Sequence, residues 1–251
     1  MLSVLVGMGL YVAFLRDNIL LARCLPYSNL IVLGNWFPIF AAVFAGLAWR
    51  HSSGGGLRRS WPVAGLVLAG LFAAVQPLLG NTPQCANQWD ADGICRQTTM
   101  FTCSPACAAT MLASAGIVAT EQEMADLCLT RRGTTWQGLY RSLKIKTAGT
   151  LYDVQVFNCT AEELRQYTPG WMILTVGIPR GVQVAPIYEQ QYSWTPGTLH
   201  AVLLYDFAPN HRVNMADPDV GREQWTTEDL QILFRGCGIR LIRRVPQPPG
   251  P

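Results

Sequence analysis

Two patterns of apolar residues divide this chain. Up to about Gly80 the apolar positions run almost unbroken, whereas from Asn81 onward they recur in short, alternating stretches. In the first part, residues 30–49 (LIVLGNWFPIFAAVFAGLAW) and 61–79 (WPVAGLVLAGLFAAVQPLL) have the length a bilayer demands, about 20 mostly apolar residues at 1.5 Å rise each. A shorter apolar run, residues 1–15, is closed off by Arg16 and Asp17. It lacks the basic start and small-residue cleavage site of a signal peptide, so it reads as a further span or an anchor. Between the two longer runs lies RHSSGGGLRRS, whose Arg50, Arg58 and Arg59 read as a cytoplasmic loop under the positive-inside rule. The expectation is a membrane region over residues 1–80 with two or three transmembrane helices near 1–15, 30–49 and 61–79. The remainder, residues 81–251, then falls on the extracytoplasmic side.

That remainder reads as one α+β domain. Ser104-Pro105 opens an Ala-rich helix, CSPACAATMLASAG, with Pro in the first turn, where its missing N–H costs nothing. Thr120 with Glu123, and Thr160 with Glu163, have the spacing of a capping box. A last short helix is expected in WTTEDLQILFRG, capped by Thr226 or Thr227 and stopped at Gly236. The strands are LYDVQVF, WMILTVG, HAVLLYDF, HRVNMAD and a closing CGIRLIRRV. Helices early and strands late argue against a parallel doubly wound sheet. The tail VPQPPGP reads as an extended end.

Composition sharpens this picture. Half of the 251 residues are hydrophobic, mean hydropathy is +0.19 and only 14% are charged, which excludes a disordered chain. The formal net charge is +3, yet the first 80 residues carry five Arg against one acid, leaving fourteen Lys and Arg against fifteen Asp and Glu in the rest. The domain has no basic face for neutralising phosphates, which argues against a nucleic-acid partner. No GxxxxGK[ST] loop occurs, so no nucleotide is expected either. Cys24 lies in the apolar region and seven further cysteines lie beyond it. In an oxidising compartment Cys85 and Cys95, which bracket ANQWDADGI, are the pair to look for; the alternative is that these are buried thiols.

The chemistry concentrates on Gln97, Cys103, His200 and Asp217. A thiol is a nucleophile only as thiolate, and a helix N-terminus such as the one Cys103 precedes lowers its pKa. His200 heads an apolar strand that would hold its ring rigidly as a base, whereas His51 lies in the membrane loop and His211 in a polar turn. Asp217, at an Asp-Pro step ending a strand, would orient the ring; Asp219 is an alternative that spacing does not separate. Gln97, six positions before Cys103, would supply an amide to an oxyanion hole with the Cys103 N–H. Singly, each has a plain structural explanation; their joint order and context point to nucleophilic catalysis. Cys107, one helical turn beyond Cys103, reads as a packing residue, and the Cys-x3-Cys spacing lacks the partners of a metal site. The Asn158-Cys159-Thr160 sequon is a frequent chance match. Among Trp136, Trp171, Trp194 and Trp225 most should pack in the core while some line a cleft, and YEQQYSWTPGT, just before His200, is expected to flank that cleft.

The strings QTTMFTCSPACAATML, LHAVLLYDF and ADPDVGREQWTTEDLQILF resemble the bacteriocin-processing (double-glycine leader) peptidases, cysteine peptidase family 39. The resemblance spans about residues 86–244 and implies a papain-like cysteine peptidase fold. It implies an oxyanion role for Gln97, a nucleophile at Cys103, a base at His200 and an orienting carboxylate at Asp217, with no cofactor and no metal. Two departures stand out. Ser104-Pro105 follows the nucleophile where the family usually has Gly, and the apolar region comes first, with no ATPase motif. The expected function is therefore a membrane-anchored cysteine peptidase acting on a peptide or protein, without assuming a double-glycine leader. The alternatives are a cysteine acyltransferase with the same apparatus, or an inactive domain that binds peptides or partners in the same cleft.

Overall fold

The computed structural model describes residues 37–51, 56–75, 78–190 and 194–244, with the single positions Val6, Leu10, Ile19 and Cys24. The chain divides into two compact units, Met1–Asn81 and Thr82–Pro251.

In the first unit, helix α1 (Phe37–His51) packs against helix α2 (Gly56–Val75). Small residues permit the approach: Ala41 and Ala45 are buried, and a Cβ added at Gly70 would lie 3.2 Å from that of Ala41. Trp61, Leu68, Leu71 and Phe72 of α2 face outward. Among the described residues no helix is long and apolar enough to cross a membrane, so the expected spans near 30–49 and 61–79 do not appear as such. Described helix begins only at Phe37 in the first of them. Helix α2 includes Arg58, Arg59 and Pro62 in its opening turns, which shortens its uninterrupted apolar run. The expected span at 1–15 lies outside the described residues but for Val6 and Leu10, as does the tail at 245–251.

The second unit is a mixed α/β domain built on one antiparallel sheet. Its elements are α3 (Cys103–Ser114), α4 (Glu121–Leu127), α5 (Trp136–Lys146), β1 (Tyr152–Asn158), a 3-10 turn (Glu162–Tyr167), β2 (Met172–Val176), a helical turn α6 (Ile187–Gln190), β3 (His200–Ala208), β4 (Arg212–Asp217), β5 (Gly221–Thr226), α7 (Thr227–Leu233) and β6 (Phe234–Arg243). The strand order is β1-β6-β2-β3-β4-β5, and every neighbouring pair is antiparallel. Helix α3 packs on β2 and β3 through small side chains, with Ala106, Cys107, Ala108 and Ala109 fully buried. An Ala-rich face brings the helix axis close to the sheet, and that closeness carries Cys103 to the end of β3.

Several elements depart from the sequence expectation. Thr120 caps α4 by accepting from the Glu123 N–H, but Glu163 reaches back only to the Thr160 N–H and the segment forms a 3-10 turn. The capping box at Thr226 is complete with Asp229, whereas Gly236 lies inside β6 and the helix stops at Leu233. Helix α5 and strand β5 were not expected. All eight cysteines are free thiols, so Cys85 and Cys95 are not paired. Each thiol lies against the Glu121 carboxylate, and burial, helped by that charge, pushes both up to about 12.

Where β6 crosses β1 and β2, Gly238 lies opposite both Phe157 and Leu174. A Cβ there would run into the Phe157 ring, which is itself stacked on Tyr167 with centroids 4.0 Å apart. Gly238→Val should therefore destabilise the domain by about 1–3 kcal/mol through overpacking, read as a lowered urea midpoint at unchanged slope.

Candidate functional site

The antiparallel register of β3 and β4 builds the first half of the site. Leu203 lies opposite Ala216, so one step further along the ladder Asp217 falls beside Val202, on the face that also carries His200. The carboxylate reaches diagonally to the ring: His200 Nε2 lies 3.0 Å from both Asp217 Oδ1 and Oδ2. The Asp217 side chain is 4% exposed and that of His200 19%. Asp219 contributes differently, since its backbone N–H donates to Asp217 Oδ1 at 2.7 Å. The structure thus brings the carboxylate of Asp217 to the ring and uses Asp219 to hold it.

With Nε2 engaged by Asp217, the other ring nitrogen remains for the thiol of Cys103 in the first turn of α3, and the two groups shift each other's charge. Thr102 precedes this helix but does not cap it, because its hydroxyl exchanges hydrogen bonds with the Thr99 backbone, both at 3.0 Å. No side chain therefore caps the start of α3. Burial opposes charge on Cys103, but the His200 hydrogen bond and charge, the Ala201 backbone and the Ser104 side chain outweigh it and hold the thiol below its ordinary 9.0. Burial likewise works against the His200 imidazolium, yet its hydrogen bonds to Asp217 and Cys103 and their charges push it up to about 10. The two shifts run in the directions that favour a thiolate beside an imidazolium. Cys107, one turn on, is fully buried, donates to the Ala201 carbonyl at 3.3 Å and is pushed up well above the ordinary thiol value by burial first and by the Cys103 charge second. It packs, and its thiol shifts in the opposite direction to that of Cys103.

Gln97 sits on the loop before α3, whose position is set by three anchors. Its N–H donates to the Pro218 carbonyl at 2.8 Å, tying the loop to the Asp-Pro turn. The Cys95 N–H donates to Thr110 Oγ1 at 2.9 Å. Thr98 donates through N–H and hydroxyl to the fully buried Glu121 carboxylate at 2.7 and 2.6 Å. The side-chain oxygen of Gln97 is buried and has no partner. Sequence reasoning missed Glu121, since an acid directly after a Thr cap looks like a solvated first-turn residue.

Beside His200 opens a cleft of about 370 Å³ lined in part by Gln97, Trp194, Leu199, Glu223 and Trp225. The Trp194 ring meets the His200 ring edge-on at 5.8 Å and Trp225 at 5.7 Å. The loop before His200 supplies part of the wall, although residues 191–193 lie outside the described residues. Trp171 instead stacks on Tyr205, 4.9 Å away. Among the described residues no group of three His, Cys, Asp or Glu side chains forms a metal site.

Cys103 alkylation by iodoacetamide should follow this geometry. A thiol whose folded pKa is lowered keeps its charge as pH falls below 9.0, so the rate should plateau well below that pH. His200→Ala leaves burial opposed by little, and labelling at neutral pH should drop by about tenfold or more. Labelling of Cys103 no faster than that of Cys107 would contradict the account.

No family model matches the chain, and no curated protein matches it. Among solved structures it is similar to the peptidase domain of Streptococcus ComA, a bifunctional ABC transporter involved in a quorum-sensing pathway, at 19% identity over 59% of this chain and 96% of that one, with a TM-score of 0.46. It is also similar to a double-glycine motif protease from an AMS/PCAT transporter, solved in complex with the leader peptide, at 13% identity over 65% and 97% with a TM-score of 0.47. The peptidase domain of Streptococcus mutans ComA matches at 20% identity over 59% and 96% with a TM-score of 0.40.

Proposed function

We propose that this chain is a cysteine peptidase in which Cys103 is the nucleophile, His200 the base and then acid, Asp217 the orienting carboxylate and Gln97 a donor to the oxyanion. The observation that carries the reading is the His200–Asp217 contact at 3.0 Å beside Cys103, which opens a helix that no side chain caps; the thiol held low and the imidazole held high support it. The thiolate attacks the peptide carbonyl carbon, and the oxygen takes the negative charge opposite the Cys103 N–H and the Gln97 amide. For this role the Gln97 amide must present its NH2 group, not the unpartnered Oε1, to the oxyanion. His200 passes its proton to the departing amine as the C–N bond breaks, leaving a thioester. Water then gives a proton to His200, attacks the thioester and releases the carboxylic acid and the thiolate. Pro105, third in α3, suits a helix start that needs no N–H there, so Ser104-Pro105 is compatible with this role.

In the same reading the first unit attaches the domain to a bilayer, with the peptidase domain on the extracytoplasmic side. Supporting it are the outward Trp61, Leu68, Leu71 and Phe72 and the arginines gathered between the apolar runs. Full-length chain should stay with the membrane pellet after alkaline carbonate washing; release into the supernatant would end the anchoring proposal.

Peptide hydrolysis should vanish in Cys103→Ala. Asp217→Asn should slow turnover by about 10²-fold or more while leaving the fold intact, and Gln97→Ala should lower kcat by about 10²–10³. Product analysis without added amine decides the acyl-transfer alternative, because a peptidase then releases the free acid in repeated turnovers whereas an acyltransferase stalls at the thioester. Rapid Cys103 labelling without turnover of any peptide or ester would favour a binding domain.

A further inference from the structure

We infer that the cleft beside His200 receives the residue on the amine side of the scissile bond, and that Glu223 selects a cationic side chain there. The inference rests on the peptidase reading above and goes beyond it by naming a subsite and its chemistry.

The position follows from proton transfer. His200 must hand its proton to the departing nitrogen, so that nitrogen and the side chain following it lie on the imidazole side of the sulfur. The cleft is walled by His200 and Gln97, and among the described residues Cys103 is not part of its wall. At about 370 Å³ it has room for a long side chain. A pocket on the carbonyl side would have to open on the sulfur itself.

The chemistry follows from the walls. Trp194 and Trp225 offer aromatic surface, and Leu199, 63% exposed, forms an apolar lip. Glu223 and Trp225 alternate on β5 and so share the face turned to the cleft. Trp225 Nε1 donates to Glu223 Oε2 at 2.9 Å, which fixes the carboxylate. Neither Glu223 nor its neighbour Asp219 forms an ion pair among the described residues, and no Lys or Arg lines the cleft. The nearby Arg96 is already engaged, with Asp90 at 3.7 Å and with the Asp219 carbonyl. Burial, joined by the Asp217 charge and opposed by the Trp225 hydrogen bond and by His200, pushes the Glu223 carboxyl above its ordinary range. A Lys or Arg side chain laid along the tryptophans would bring to this carboxylate a cation beyond the His200 ring that already lines the cleft.

The test isolates the amine side. Full-length chain is acylated with p-nitrophenyl acetate, and the acyl-enzyme is partitioned between water and arginine amide, norleucine amide or glutamate amide at equal free-amine concentration. Aminolysis by arginine amide should exceed that by glutamate amide by about tenfold. Glu223→Gln should narrow the ratio to about twofold and Glu223→Lys should reverse it; because the ratio is internal to each variant, it does not depend on the acylation rate. Equal partitioning in the wild type, or a ratio unchanged in Glu223→Gln, overturns this inference and leaves the peptidase reading standing. Absence of a Cys103-dependent burst of p-nitrophenol overturns the peptidase reading and this inference with it.

Discussion

The chemistry proposed for the second unit depends on one ring. His200 stands between a thiol and a carboxylate, and both act to raise its pKa against the effect of burial. Remove the carboxylate and the ring loses its orientation; remove the ring and only the Ala201 backbone and the Ser104 side chain oppose burial at the sulfur, so its pKa moves up, in the direction that burial drives Cys107 and Cys128. The site is thus a coupled set in which no member has its properties independently.

The fold satisfies this constraint with three independent devices. The β3–β4 register delivers Asp217 to the ring, and the turn at Pro218 returns the Asp219 N–H to hold that carboxylate. The Ala-rich face of α3 lets the helix lie close on β3, placing its uncapped start at His200. Finally, buried Glu121 spends both oxygens on Thr98, and that clamp, with the Gln97–Pro218 bond, fixes the loop that the amide needs. A buried carboxylate is tolerated because its hydrogen bonds are made by groups that would otherwise be unsatisfied themselves.

How much of this could be read from the chain depends on which residues carried a local signal. Apolar alternation made β1 through β4 and β6 legible, and the cap expected at Thr226 or Thr227 falls on Thr226. Strand β5 was invisible because GREQWT is an edge strand whose residues are mostly polar and half-exposed. Helix α5 was missed because WQGLYRSLKIK follows a Thr- and Gly-rich stretch that reads as loop. Cys103, His200 and Asp217 stood out because each sits at an element boundary, and Gln97 because it lies six positions before Cys103. The choice of Asp217 over Asp219 needed the strand register, and Glu121 and Glu223 needed the packed structure, since one resembles a helix-start acid and the other a surface strand residue. The apolar runs before Gly80 were plain in the sequence, but helix length and the placement of Arg58, Arg59 and Pro62 were not.

The charge on His200 is the quantity on which the account turns. Nitrogen NMR of histidine-labelled chain, assigned by comparison with His200→Ala, reads it directly at the two ring nitrogens. The account predicts an imidazolium with both nitrogens protonated at neutral pH, losing its proton only as pH rises toward about 10. A neutral ring that titrates near the ordinary 6.5, unchanged when Cys103 is replaced by Ala, would contradict it.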